Sequence, residues 1–437
     1  MAPPNVTHLT RRILKNKHVD YAWGPAPTYE LSSWIRDELL VSRDATDDER
    51  GLLNKFGWGR KGSVLQGAGK RAAGVTDIEI WKPTTDSYSM VESVIADLRM
   101  ASGKTPLVSP NHLLVPCGLG SYCPARAPTA LAPQAARAAR IANYLAPREG
   151  EPIRVVVIDT GYIEKPSLEA RSDRGGFTSV KGEIFNGSSW VPSQPDGPYR
   201  LPGGALELLD GHGTFTAGEI AERCPSAHVT VVGILDEEGA ATEASVAREI
   251  YKHADADIIV PVFAFSALEG VGNWTFTHVL PQLKETSIVV CPAGNESSFA
   301  PHFPAGLRWP RYPVIGVGSL VPGAPSGVPG PELSDFTNFG DWVAGYTVGE
   351  DVKGLYFNLT TKVEDGPPDK VAYKGWAKWS GTSFAAPKVA AHLANKAVSA
   401  GSARAAAADL MSLPTVPLFG PTPGVAAMGR DFRNVAT

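Results

Sequence analysis

The sequence predicts an α/β fold, a mostly parallel sheet flanked by helices on both faces, preceded by a small α+β unit. Three observations carry this. From residue 153 to 291, short apolar runs alternate with helical patterns, and strands that alternate with helices form parallel sheets covered on both sides. Four consecutive β-branched residues, Val155-Val-Val-Ile158, read as a fully buried strand. Residues 35–116 carry a separate strand, helix, strand, helix, strand pattern, set apart by a stretch dense in Gly and Pro.

In the first unit, residues 38–42 read as a strand and residues 44–55 as a helix opening on acidic residues. Residues 75–81 alternate like a strand, 88–101 have helical spacing, and 107–115 form a last extended segment. Residues 117–133 read as a linker. Beyond it, residues 134–145 and 213–223 read as helices, and 153–158, 229–235, 257–263 and 288–291 as strands, with a helix over 245–253. After about Gly401 the chain turns Ala-rich, then Pro- and Gly-rich, and residues 406–437 read as a peripheral tail. The expected division is therefore 1–116, 117–133, 134–405 and 406–437.

A chain of 437 residues accommodates one large domain and a smaller companion. Its 43% hydrophobic and 20% charged content is that of a packed globular protein. The net charge of −4 argues against nucleic-acid or anionic-membrane partners. No apolar run reaches the length of about 18 residues that a membrane-spanning helix needs. Residues 1–15 lack the pattern of a secretory signal, so the expected location is the cytoplasm. Cys117, Cys123, Cys224 and Cys291 are too few and scattered for a disulfide framework, and reduced thiols agree with that location. Cys291 reads as a core residue. Cys117 and Cys123 share a Gly-rich loop and read as free thiols, a reversible bridge or metal ligation being the alternatives.

Three stretches each hold one member of a charge relay: Val-Ile-Asp159-Thr-Gly161, Asp210-Gly-His212-Gly-Thr214 and Ser380-Gly-Thr-Ser383-Phe-Ala-Ala-Pro387. A serine hydroxyl is a poor nucleophile at neutral pH. It needs an imidazole to take its proton and a carboxylate to fix the imidazole's tautomer. Asp159 is the expected acid, because Asp210 lies only two residues before His212 and reads as a turn residue. The chain order Asp, His, Ser excludes layouts that run Ser, acid, His or His, Asp, Ser. A fourth stretch, Val289-Val-Cys-Pro-Ala-Gly294-Asn295-Glu, reads as a strand delivering an amide at its carboxyl end, where ligands of such sheets bind. Asn295 is thereby the expected oxyanion donor. Ser383 opens a helix, so its own N–H is the expected second donor.

Together these stretches resemble the subtilisin-like serine peptidases, over roughly residues 130–405. The resemblance implies a subtilisin-like fold and an endopeptidase acting on protein or peptide substrates with no cofactor. Calcium is a common stabiliser of the family, but no oxygen-ligand loop stands out and no metal site is expected. Family members line the primary pocket with an extended segment, usually Ser-Leu-Gly. Val262-Phe263-Ala264 stands at the matching place, without the glycine. The opposite wall is expected from Asp236-Glu237-Glu238-Gly239, where carboxylates beside a peptide channel would favour basic side chains on the substrate's non-primed side, a solvated acidic turn being the alternative. Residues 1–116, ending in Ser-Pro-Asn-His-Leu-Leu-Val-Pro, look like a prosegment of this family, which implies an intramolecular inhibitor and chaperone with a processing point in the linker. A dedicated maturation protease for one partner protein and a self-inhibited binding module are the alternative readings.

Overall fold

A computed structural model describes residues 19–23, 31–65, 77–116, 125–131, 152–162, 180–185, 190–192, 206, 208–234, 240–267, 274–323, 330–363, 368–420 and 426–433. The first unit runs β1 (Val19–Trp23), β2 (Leu31–Ser42), α1 (Asp47–Lys55), β3 (Trp58–Ser63), β4 (Ile78–Pro83), α2 (Val91–Ser102) and β5 (Val108–Pro116). All pairings among its strands are antiparallel. Thr46 caps α1 in a reciprocal box with Glu49, which explains why the helix starts later than its acidic lead-in. β2 begins seven residues before the expected strand, and β1 and β3 were not anticipated. β3 reads Trp-Gly-Arg-Lys-Gly-Ser and owes its form to pairing with β4 rather than to propensity.

Successive residues of a strand face opposite sides, and in β2 that alternation is visible in burial. Leu39 and Val41 join Trp58, Trp81 and the apolar faces of α1 and α2. Leu40 between them joins the core of the large domain, as do Ile78 and Leu114. The small sheet is thus buried on both faces, one against its own helices and one against the rest of the molecule.

The large domain continues with β6 (Arg126–Ala130), β7 (Arg154–Asp159), β8 (Val180–Phe185), β9 (Trp190–Pro192), α3 (His212–Arg223), β10 (His228–Gly233), β11 (Ala241–Thr242) and α4 (Glu243–Lys252). There follow β12 (Ile258–Pro261), β13 (Phe263–Ala264), α5 (Trp274–Val279), β14 (Ile288–Pro292), β15 (Val314–Leu320), β16 (Gly345–Val348), β17 (Val352–Thr361), β18 (Val371–Ser380) and α6 (Thr382–Ala400). The main sheet has the order β16-β15-β14-β12-β7-β10-β8-β9. Its pairings are parallel apart from β8 with β9. β14 and β15 are buried at every position, so both faces of the sheet are covered, as the apolar runs predicted.

Two expectations change. The stretch read as linker contains β6, which pairs with β18 and with β17 makes a three-stranded sheet. Tyr373 Oη and Trp379 Nε1 each donate to β6 carbonyls at 2.6 Å. The tail is not peripheral. α7 (Ala403–Met411) packs on α6, and β19 (Thr415–Phe419) and β20 (Ala426–Arg430) form a hairpin. Leu410, Leu418 and Phe432 are buried in the main core, and Phe432 N–H donates to Tyr346 O at the sheet edge. Widely spaced apolar anchors inside a Pro- and Gly-rich stretch account for the misreading. The helix expected over 134–145 lies outside the described residues.

Candidate active site

β7 ends at Asp159, as a strand buried along its length delivers its last side chain to the sheet's carboxyl edge. His212 is the first residue of α3 and follows Gly211, whose φ of 82° makes the tight turn into the helix. Ser383 lies in the first turn of α6, after Gly381. The three side chains meet although they come from distant parts of the chain. His212 Nδ1 lies 2.8 Å from Asp159 Oδ1 and 3.0 Å from Oδ2, and its Nε2 lies 2.8 Å from Ser383 Oγ. All three are fully buried. A carboxylate only accepts, so Nδ1 carries the proton and Nε2 presents its lone pair to the serine hydroxyl.

The approach of α3 to β7 needs a residue without a side chain. A Cβ on Gly213 would lie 2.2 Å from Gly161 O and 3.2 Å from Asp159 Cβ. Gly213 N–H instead donates to Thr160 Oγ1 at 2.9 Å. The imidazole is walled by Trp379 at 5.6 Å, edge to face, and by Phe384 at 5.1 Å between ring centres. Asp210 sits in the turn before α3, and Asp159 is the carboxylate that meets the imidazole.

Asn295 lies just beyond β14. Its Oδ1 accepts from Thr382 N–H and Thr382 Oγ1, both at 2.9 Å. Its Nδ2 is buried and has no hydrogen-bond partner among the described residues. An unpaired buried donor is costly, and this one lies beside the serine. A Cβ on Gly381 would sit 3.1 Å from Ser383 Oγ and 3.6 Å from Asn295 Nδ2. Ser383 is the second residue of α6, where a backbone N–H has no carbonyl four residues back within the helix. A small negative charge held there meets donors from two directions. Thr382 went unread in the sequence, because its role depends on contact with a residue 87 positions away.

Of the expected pocket segment, Val262 donates its N–H to Ile158 O and is tied to β7. Phe263 and Ala264 form β13, antiparallel to Pro116 and Val115 at the end of β5. The next residues of β5, Leu114 and Leu113, pair with Ala241 and Thr242 of β11. The last strand of the first unit thus lies between two short strands of the large domain. The strand wall described is β11, too short to be seen in the sequence; Glu237 and Glu238 lie outside the described residues.

Polar contacts reinforce this junction. Asn111 Oδ1 accepts the Ala244 N–H at 3.0 Å, near the start of α4. His112 Nδ1 lies 2.6 Å from Glu243 Oε2, both residues buried, and its ring stacks on Phe265 at 4.5 Å. Cys117 and Cys123 fall outside the described residues, while Cys224 and Cys291 are buried. Burial pushes the Cys291 thiol up, away from the reactive thiolate. Among the described residues no group of three or more His, Cys, Asp or Glu side chains could hold a metal ion, and no helix is long and apolar enough to cross a membrane.

A family model described as the subtilase family matches residues 150–405. No curated protein matches the sequence. Among solved structures, fervidolysin from Fervidobacterium pennivorans, described as a keratinolytic enzyme related to subtilisin, matches with a TM-score of 0.52 and 17% identity, over 85% of this chain and 56% of that one. This chain therefore spans little more than half of that protein's length. A protease from Pseudoalteromonas arctica PAMC 21717 gives 0.48 and 18%, over 65% of this chain and 88% of that one. The prenylagaramide maturation protease PagA gives 0.40 and 21%, over 61% and 86%. At such identities the likeness concerns the fold alone.

Proposed function

This chain belongs to the subtilase family, and from that premise we propose that it is a serine endopeptidase held latent by its own N-terminal domain. Ser383 Oγ attacks the peptide carbonyl as its proton passes to His212 Nε2, while the Asp159 carboxylate holds the imidazole and stabilises the imidazolium. Asn295 Nδ2 and the Ser383 N–H donate hydrogen bonds to the carbonyl oxygen as negative charge develops on it. His212 then gives its proton to the departing amine, and water cleaves the acyl-enzyme along the reverse path. The observation that carries this reading is the unbroken contact from Ser383 through His212 to Asp159, beside an Asn295 Nδ2 with no hydrogen-bond partner among the described residues.

Substrates enter as an added strand between β11 and β13, since main-chain pairing binds a peptide in extended form. β5 holds that place in the uncut chain, which supports an inhibitory role for residues 1–116. The free, buried thiol of Cys291 supports a reducing, cytoplasmic setting. A fluorophosphonate probe tests the activity. It labels Ser383 in the processed wild type and leaves Ser383→Ala unlabelled; a processed wild type that resists labelling overturns the assignment. Cleavage profiles on a peptide library separate broad proteolysis from action on one partner protein.

A further inference from the structure

Asn338 stands outside the four motif stretches, yet it binds the loop that carries Asn295 on both sides of that residue. Its backbone N–H donates to Gly294 O at 3.0 Å. Its Nδ2 donates to Ala293 O at 3.0 Å and to Glu296 Oε2 at 2.7 Å. Its Oδ1 accepts the N–H groups of Glu296 and Ser298, each at 3.0 Å. Both amide hydrogens and both carbonyl lone pairs are therefore in use, on a residue with no exposed surface.

Asn295 contributes none of these bonds. Its own Oδ1 is held from the opposite side by Thr382. The loop is thus fixed through its backbone by Asn338 and through its central side chain by Thr382. Gly294 makes room for the arrangement, with a φ of 108° and a position where a Cβ would lie 2.3 Å from Asn338 Nδ2. Glu296, next to Asn295, is a buried carboxylate whose free swing toward Ser383 would oppose a developing negative charge. The Asn338 amide holds one of its oxygens, with His302 Nδ1 at 3.3 Å from the same atom.

We propose that Asn338 is a positioning residue, fixing the chain on both sides of Asn295 so that its Nδ2 stays aimed at the oxyanion. The inference rests on the peptidase reading. An oxyanion donor acts only if it is already in place when charge develops, and misplacing a reacting group by about 1 Å costs on the order of 100-fold in rate.

The test uses the full chain after self-processing, with active sites counted by fluorophosphonate labelling and turnover measured on a quenched peptide. Asn338→Ala is expected to lower kcat about tenfold or more with KM within about twofold. In an Asn295→Ala background the same change has little further effect, because no donor remains to be aimed. Asn338→Ser, which keeps a short polar group, retains more turnover than Asn338→Ala. A role in folding alone would lower the labelled fraction and reduce rates equally in both backgrounds. Full turnover of Asn338→Ala, equal losses in both backgrounds, or failure of both the Ala and Ser variants to fold would overturn the inference. Wild type without Ser383-dependent labelling would overturn the peptidase reading and this inference together; labelled wild type with additive losses overturns this inference alone.

Discussion

Ser383 is a small side chain at the head of α6, and its replacement by alanine removes a hydroxyl but little packing. Ser383→Ala is expected to abolish peptide hydrolysis while lowering unfolding free energy by no more than about 1–3 kcal/mol, the cost of leaving His212 Nε2 unpaired, as urea denaturation will show. Asn295→Ala is expected to lower kcat by about 100- to 1000-fold, a magnitude known for a subtilisin rather than derived for this chain, with KM little changed. A raised KM at full kcat would exclude the oxyanion role. Lys388 lies four residues beyond Phe384 on the same helix, nearly buried, donating from Nζ to Val348 O at 2.7 Å. Burial, aided by Arg223, pushes its pKa from 10.5 down to about 7, against the pull of Glu219. Between those values the unfolded chain holds a proton that the folded chain lacks, so stability rises with pH from about 7 to 10.5 and the penalty is full below 7. Lys388→Met is expected to flatten that slope and to stabilise the protein near pH 6, by up to a few kcal/mol, relative to its effect near pH 10. Unfolding curves at both pH values check this. Asp159, His212, Asn295 and Ser383 were legible because each sits in a short local motif. Thr382 and Asn338 were not, since their roles come from contacts across the fold.

At the scale of elements, the short strands matter most. β11 and β13 are two residues each and carry no periodicity, yet each finds an antiparallel partner in successive residues of β5. β14, by contrast, was legible as an apolar run because both faces of the sheet are covered. Asn111 strengthens the β5 pairing by satisfying an N–H near the start of α4, where helix donors otherwise go unpaired. Asn111→Ala is therefore expected to cost the proposed inhibitory contact about 1 kcal/mol, or roughly fivefold in affinity. The inhibition constant of the released N-terminal piece against the processed enzyme measures it. An unchanged constant would mean that strand pairing and the His112 contact with Glu243 hold the domain without it.

For the whole molecule, the proposed boundary between the two parts lies between β5, which ends at Pro116 against β13, and β6, which starts at Arg126 against β18. Gly- and Pro-rich stretches are preferred points of proteolytic nicking, so the wild-type chain is expected to be cut between Pro116 and Ala125. Ser383→Ala should stay whole, and intact mass spectrometry distinguishes the two. A fully active chain that is never cut would make residues 1–116 a permanent domain. Composition marks a Gly- and Pro-rich stretch after residue 116, but not the strand within it. β6 hides in a run of Ala, Pro and Thr, and the C-terminal segment hides Leu418 and Phe432, which complete the core beside β16. The placement of β5 has one more consequence. While the backbone is continuous, that strand meets the cleft at an effective concentration of about millimolar, whatever the amount of protein in the tube. Once the backbone is cut, the same contact becomes an encounter between two molecules. Activity per enzyme should then rise on simple dilution, and the uncut chain should show no such rise.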